Sequence, residues 1–251
     1  MNSIINIKRF IILGIVLTLF SACELDNFDG PDSGLYGRIL DEETGELVPQ
    51  DIINGTLIEI WEDGYDPVTP QRLEVKNDGT YKDTRLFANT YSVIPVNTNF
   101  HNNATIGIDT ARVTISGQTE FDLKVTPYVR IVDFDLTQSG TKVVARFKLE
   151  QPIDSVYLAE GDVDKTAVII DEVSLFVHFD PNVGREMSLG KTTESIGAII
   201  EAGVNDEYRL DFDTSKDTDF VNGGKIYMRV GAIAEMPQAR TNYGPTIELD
   251  F

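Results

Sequence analysis

The stretch "KVVARFKLE" (residues 142–150) alternates without a break. Successive side chains of an extended chain point to opposite faces. Val143, Ala145, Phe147 and Leu149 therefore share one face, and Val144, Arg146, Lys148 and Glu150 the other. One apolar and one hydrated face describes an antiparallel strand with one side on a core. "YRLDFD" (208–213) repeats the pattern, with Tyr208, Leu210 and Phe212 opposing Arg209, Asp211 and Asp213. Working outward, "TLIEIWE" (56–62), "TYSVIPV" (90–96), "ARVTIS" (111–116), "TEFDLKV" (119–125), "VSLFVHF" (173–179) and "KIYMRVGA" (225–232) also read as strands. They are separated by turn clusters such as "NDG", "SG" and "NGG". No segment sustains a 3.6-residue apolar stripe, and only "TTESIGAIIEAGV" (192–204) reads as a short helix. The fold class predicted is all-β, with two consecutive antiparallel β-sandwich domains.

The N-terminal half runs "LYGRILDEETGELV", then "TLIEIWEDGY", then "LEVKNDGTYKDTRLFANTYSVIPV". Asp78-Gly79 between a strand and Thr80-Tyr81 is a tight-turn signal, with Gly79 supplying a positive φ. The order resembles the carboxypeptidase regulatory-like (prealbumin-like) β-sandwich, whose pattern is G-x-V-x-D-x-x-T-G, a middle strand, then D-G-x-Y and G-x-Y. Gly37, Asp41, Thr44, Gly45, Asp78, Gly79 and Tyr81 fill those positions, while Asn89-Thr90-Tyr91 lacks the last glycine. The resemblance covers residues 33–125 and implies a structural or binding module that does no chemistry. "KVTPYVRIVDFDL" (124–136) then reads as the passage between domains, because Pro127 cannot donate to a strand ladder. Residues 126–251 fit an immunoglobulin- or fibronectin-like sandwich, ending on a strand, a polar loop and a last strand.

At the N-terminus, Lys8 and Arg9 precede the apolar run "FIILGIVLTLF" (10–20), followed by Ser21, Ala22 and the only cysteine, Cys23. Eleven apolar residues are short for a membrane span and suit a processed signal peptide over residues 1–22. The junction resembles the bacterial lipobox, with Leu19 at −4 and Phe20 at −3. That resemblance implies acylation of Cys23 and anchoring of the chain to a membrane by its lipid. "CELDNFDGPD" is acidic and turn-rich, so residues 23–32 read as a tether. It also resembles the acidic stretches that send Bacteroidota lipoproteins to the cell surface. Without residues 1–22 the chain keeps 19 Lys and Arg against 41 Asp and Glu, a formal charge of −22. This sign opposes attraction to nucleic acid or to an anionic lipid surface. A single cysteine leaves no disulfide within the chain, so buried cores must hold it together.

Taken together, "WEDGYDP…LEVKNDGTYKDTRLFANTYSVIPV", "FDLKVTPYVRI" and "YMRVGA…NYG" resemble a two-domain Bacteroidota lipoprotein family of unknown function. The resemblance implies an outer-membrane, surface-facing setting beside a TonB-dependent transporter and a SusD-like lipoprotein. Polysaccharide is the implied ligand, and no cofactor is implied.

The chemical inventory is sparse. There is no G-x-S-x-G, H-E-x-x-H or phosphate loop, and the histidines are His101 and His178. His178 in "LFVHFD" reads as a packed or edge histidine. "DFDTSKDTD" (211–219) places Asp211, Asp213, Asp217 and Asp219 at the spacing of a calcium loop, yet Lys216 stands where the turn glycine belongs and Asn222 where the glutamate does. A solvated acidic loop is the expectation there and in "EGDVDK" (160–165). Sugar recognition calls for aromatic faces beside planar polar groups. The candidates are Trp61 and Tyr65 in "WEDGYDPVTPQ", Phe100 and His101 in "NTNFHNN", and Tyr243 in "NYG". Trp61 shares a strand face with Leu57 and Glu59, opposite Ile58 and Ile60, so either face could be the core. "DTA" and "DSV" resemble Bacteroidota O-glycosylation acceptors, implicating Thr110 and Ser155. The expectation is a non-catalytic accessory to glycan or nutrient capture. The alternative is a structural or assembly component that binds envelope proteins and no glycan.

Overall fold

In a computed structural model, the structure describes residues 29–101, 110–152, 168–199, 207–220 and 222–251. Asp32–Phe251 is one compact unit. The signal segment, Cys23, Ser155 and the 160–165 cluster lie outside the described residues.

The first sandwich is built from β1 (Ser33–Asp41), β2 (Leu57–Glu62), β3 (Gln71–Glu74), β4 (Thr80–Leu86), β5 (Asn89–Val96), β6 (Ala111–Ile115), β7 (Gln118–Glu120) and β8 (Leu123–Val125). One sheet runs β4-β1-β7 with β8 also on β1, and the facing sheet runs β3-β2-β5-β6. Leu35, Ile39, Tyr81 and Leu86 of the first sheet meet Ile58, Ile60, Tyr91, Val93 and Ile115 of the second in one core. The expected single strand 119–125 is split at Phe121-Asp122, and both halves pair with β1 in parallel. Arg38 accounts for the split: its backbone N–H and its side chain both bond the Asp122 carboxylate, which turns that residue out of the ladder.

The motif glycine and tyrosine have a shared role. Gly37 and Tyr81 face each other across β1 and β4. A Cβ on Gly37 would lie 1.8 Å from the Phe121 carbonyl oxygen and 2.8 Å from the Tyr81 hydroxyl. The absent side chain is what lets Tyr81 cross β1 and donate its hydroxyl to Phe121 O. Tyr81→Phe is expected to cost about 1 kcal/mol, a fall in Tm of about 2–4 °C in a thermal melt. An unchanged Tm would remove that bond from the account. Gly79 sits at φ +84° in the turn before β4, as the Asp-Gly pair predicts.

The second sandwich comprises β9 (Arg130–Ser139), β10 (Lys142–Glu150), β11 (Ile169–His178), β12 (Gly190–Ile199), β13 (Tyr208–Asp213), β14 (Lys225–Ala234) and β15 (Asn242–Asp250). Its sheets run β13-β10-β9 and β12-β11-β14-β15, with antiparallel neighbours throughout. Val143, Ala145, Phe147 and Leu149 are fully buried against Val173, Leu175, Met228 and Val230 of the facing sheet. The short helix expected over 192–204 is a correction: the described part is strand β12, paired along β11 from Val177↔Gly190 to Ile169↔Ile199. The β-branched Thr192, Thr193 and Ile196 suit a strand, and the cross-strand partner outweighs a weak local helix preference. Residues 200–204 of that segment lie outside the described residues.

Candidate functional site

The two cores meet through polar side chains. Gln50, Asp51, Asn99, Arg229, Thr241 and Asn242 are all buried. Asn99 receives Gln50 Nε2 on its Oδ1 (2.9 Å) and donates its Nδ2 to Pro49 O (2.9 Å) and, across the junction, to Thr241 O (3.2 Å). Asn242 Nδ2 returns to Asn99 O at 2.7 Å. Arg229, on β14, donates Nε to Gly244 O of its own sandwich. Its Nη1 and Nη2 go to Gln50 O (3.0 Å) and Asn77 O (3.3 Å) of the other. The guanidinium lies 4.0 Å from the centre of the Tyr243 ring. Burial lowers Arg229 to about 10, partly offset by Tyr243 and Asp51. It therefore stays charged at neutral pH. Tyr243 in turn donates its hydroxyl to Asp51 Oδ2 (2.6 Å), an oxygen that also accepts the Arg185 backbone N–H (3.0 Å). Burial, reinforced by Asp51, raises the Tyr243 phenol above its usual range. Asn242 Oδ1 has no partner among the described residues, but the other bonds fix one geometry, because any sliding would strand several of these groups.

A cleft of about 580 Å³ opens at this junction. Arg130, at the start of β9, occupies its base with only 11% of its side chain exposed. Its Nε and Nη2 grip Asp41 Oδ2 (2.6 Å) and Oδ1 (2.9 Å), its Nη2 also reaches Glu43 Oε2 (2.8 Å), and its Nη1 reaches Glu150 Oε1 (2.7 Å). Burial alone would raise Asp41. The Arg130 fork and the backbone N–H groups of Glu43 and Thr44 outweigh it and hold the carboxyl below its usual range. Asp41 binds the fork twice, while Glu43 and Glu150, at 68% and 39% side-chain exposure, turn toward solvent. Leu47, Pro49, Pro127, Ile131 and Pro245 supply apolar walls. Such a site can accept hydrogen bonds from hydroxyls and take C–H surface against its walls. A carboxylate held ionised by a guanidinium is poorly suited to deliver a proton near neutral pH.

The sequence candidates scatter over the molecule. Phe100 is a correction: it is 1% exposed, bridges to Pro127 and belongs to the first core. Its polar neighbours hid a core aromatic. Tyr243, 6% exposed, pins the junction and also contributes to the lining of the larger cleft. Trp61 points away from the core, because Ile58 and Ile60 are the fully buried face of β2. It is half-buried, and its indole N–H is shielded from solvent without an acceptor. Tyr65 is 62% exposed in the following turn. His101 and Thr110 are brought together with Phe100 around a separate cleft of about 520 Å³. His178 ends β11 and accepts the Asp180 backbone N–H on Nδ1 (2.8 Å).

The 211–219 aspartates are spent locally. Asp211 pairs with Arg209, Asp213 accepts from the Ser215 backbone N–H and hydroxyl, and Asp217 accepts from Asp219 N. Among the described residues no three His, Cys, Asp or Glu gather as a metal site. Sequence reasoning missed Arg130, Asp41 and Arg229 as site-builders. A lone arginine within the apolar run "YMRVGA" was the available signal, since a cation in a buried strand must find partners.

Two sandwiches with separate cores, clamped through buried polar side chains around an open cleft, define a tandem β-sandwich protein held as one body. Family models match both halves: the N-terminal domain of the protein of unknown function DUF3823 over residues 33–126, and the domain of unknown function DUF3823_C over 129–247. The chain belongs to the DUF3823 family. It is 30% identical to a solved "putative carbohydrate binding protein" of Bacteroides uniformis, covering 88% of this chain and 100% of that one, with a TM-score of 0.72. DUF3823 family proteins of Parabacteroides merdae (24% identity, 88% and 100% covered, TM-score 0.69) and Bacteroides ovatus (19%, 87% and 98%, 0.66) share the fold. No curated protein matches the chain.

Proposed function

We propose that this protein is a non-catalytic, lipid-anchored lipoprotein of the outer membrane, facing the cell surface. In this reading it binds carbohydrate in the junction cleft as an accessory to a TonB-dependent uptake system with a SusD-like partner. The observation that carries the reading is the cleft itself. Carboxylates positioned by Arg130 line an open cleft of about 580 Å³, with proline and leucine walls for a sugar's C–H faces. A relative similar over its full length and described as a "putative carbohydrate binding protein" supports the same ligand class.

Leu47 is 40% exposed on the cleft wall, so Leu47→Arg should leave the fold intact and obstruct the cleft. Calorimetric titration of the purified protein with neutral oligosaccharides should show binding that this variant weakens by roughly tenfold, about 1.4 kcal/mol. Trp61→Ala should leave it unchanged. Loss of binding in Trp61→Ala with none in Leu47→Arg would move the site to the outer face of β2. Absence of any glycan binding, with envelope proteins co-purifying, would favour the structural role instead. The anchor is tested separately: Cys23→Ala should release the protein from membranes and abolish palmitate incorporation.

A further inference from the structure

A second cleft, of about 340 Å³, opens at the same junction and is lined in part by Asp51, Ile53, Arg185, Glu186, Ile233 and Arg240. The arginines of the junction differ in one respect. Arg130 is held by three carboxylates and Arg229 by three carbonyls. Arg185 donates Nε to Thr241 Oγ1 (2.9 Å) and Nη2 to Glu172 Oε1 (2.6 Å). Arg240 is fixed across the junction by its backbone N–H to Thr98 O (2.9 Å), yet its side chain is bound to nothing among the described residues. Its Nε is shut away from solvent with no acceptor.

Scarcity of anions does not explain this, for the chain carries 41 Asp and Glu against 21 Lys and Arg. In so acidic a protein, a half-buried arginine whose shielded Nε–H meets no acceptor costs stability, and such a group calls for a reason. Nor does Asp51 neutralise it: that carboxylate is occupied by the Tyr243 hydroxyl and the Arg185 N–H, and among the described residues no carboxylate lies within ion-pair range of Arg240. The planar fork of arginine matches a carboxylate with two parallel hydrogen bonds. Ile53, 46% exposed, and Ile233 add apolar surface beside it. The volume suits one monosaccharide-sized group.

We propose that this cleft binds a carboxylate-bearing sugar unit, a hexuronate, with Arg240 holding its carboxylate. The sugar scaffold rests on the carbohydrate reading above, whereas the anion preference rests on Arg240 alone. Glu186, exposed at the cleft, opposes an anion, so its removal should help binding.

The test is titration of purified protein with galacturonate, galactose and acetate, followed by calorimetry or amide chemical shifts. Galacturonate should bind, and galactose and acetate should bind at least roughly tenfold more weakly, each lacking one half of the recognised group. Arg240→Gln should weaken galacturonate by roughly tenfold. Glu186→Gln should tighten it severalfold, and Leu47→Arg should leave it unchanged. Equal binding of galacturonate and galactose would overturn the carboxylate assignment, and equal binding of acetate would overturn the sugar. Undiminished affinity in an Arg240→Gln protein of normal Tm would overturn the site. Failure of the larger cleft is distinguishable, because it would abolish the Leu47→Arg effect on neutral oligosaccharides without touching the galacturonate measurements.

Discussion

Arg229→Ala is expected to cost about 3–5 kcal/mol of folding stability, the range seen when a buried charged interaction loses one partner. The loss has three identifiable parts. Gln50 O and Gly244 O are left without the guanidinium they accept from, whereas Asn77 O keeps the Gln50 backbone N–H. Each stranded carbonyl costs about 1–3 kcal/mol. The cation–ring contact with Tyr243 disappears, and a cavity remains where the side chain lay. Relief from burying a cation offsets part of this, and Arg229→Met isolates that relief by keeping most of the volume without the charge. Its cost should be about half that of the alanine variant. Because Arg229 donates to both sandwiches, the alanine variant should also loosen their coupling. Urea unfolding followed by tryptophan fluorescence, which reports Trp61 of the first sandwich, and by circular dichroism should coincide in the parent and separate in the variant. Coincident transitions in both proteins would mean that the clamp does not hold the domains together.

Some of this arrangement was open to reading in one dimension. β10 and β13 occupy the residues that alternation predicts, Lys142–Glu150 and Tyr208–Asp213, because one face of each meets the core and the other meets water. Alternation failed where both faces are partly apolar. On β2, Leu57 and Trp61 compete with Ile58 and Ile60, and only the position of the facing sheet decides. β12 was misread because the reason for its conformation is a partner strand, β11, that local preference does not contain. The junction was out of reach for a related reason. Gln50 meets Asn99, Asp51 meets Tyr243 and Arg229 meets Gln50 across separations of 49, 192 and 179 residues. Each residue alone looks like a loop or strand polar group, and their significance arises only when two completed sandwiches bring them together.

Arg130→Leu should cost about 3 kcal/mol near neutral pH, and its distinguishing mark is the acid limb of the stability curve. In the parent, burial pushes Asp41 up, but the Arg130 fork and nearby backbone N–H groups pull it below its unfolded value. A group depressed in the folded state contributes stability above its unfolded pKa, near 4, and loses that contribution as pH falls through the folded value. Without Arg130 the pull of the fork and of its charge vanishes, only the Glu43 and Thr44 backbone N–H groups are left to oppose burial, and Asp41 moves up. The variant should then lose less stability on acidification than the parent, whose loss sets in below about 4. The difference between the two, from urea midpoints at neutral, mildly acidic and acidic pH, should be widest at neutral pH and narrow on acidification. Glu150→Gln removes only a partly exposed arm of the same cluster and should cost at most about 1 kcal/mol, without that change in slope. A gap independent of pH would take Asp41 out of the explanation and leave Arg130 acting through packing alone. The same substitution frees Glu43 and Glu150 from the cation that positions them in the larger cleft, so a ligand bound there should weaken in parallel with stability at neutral pH.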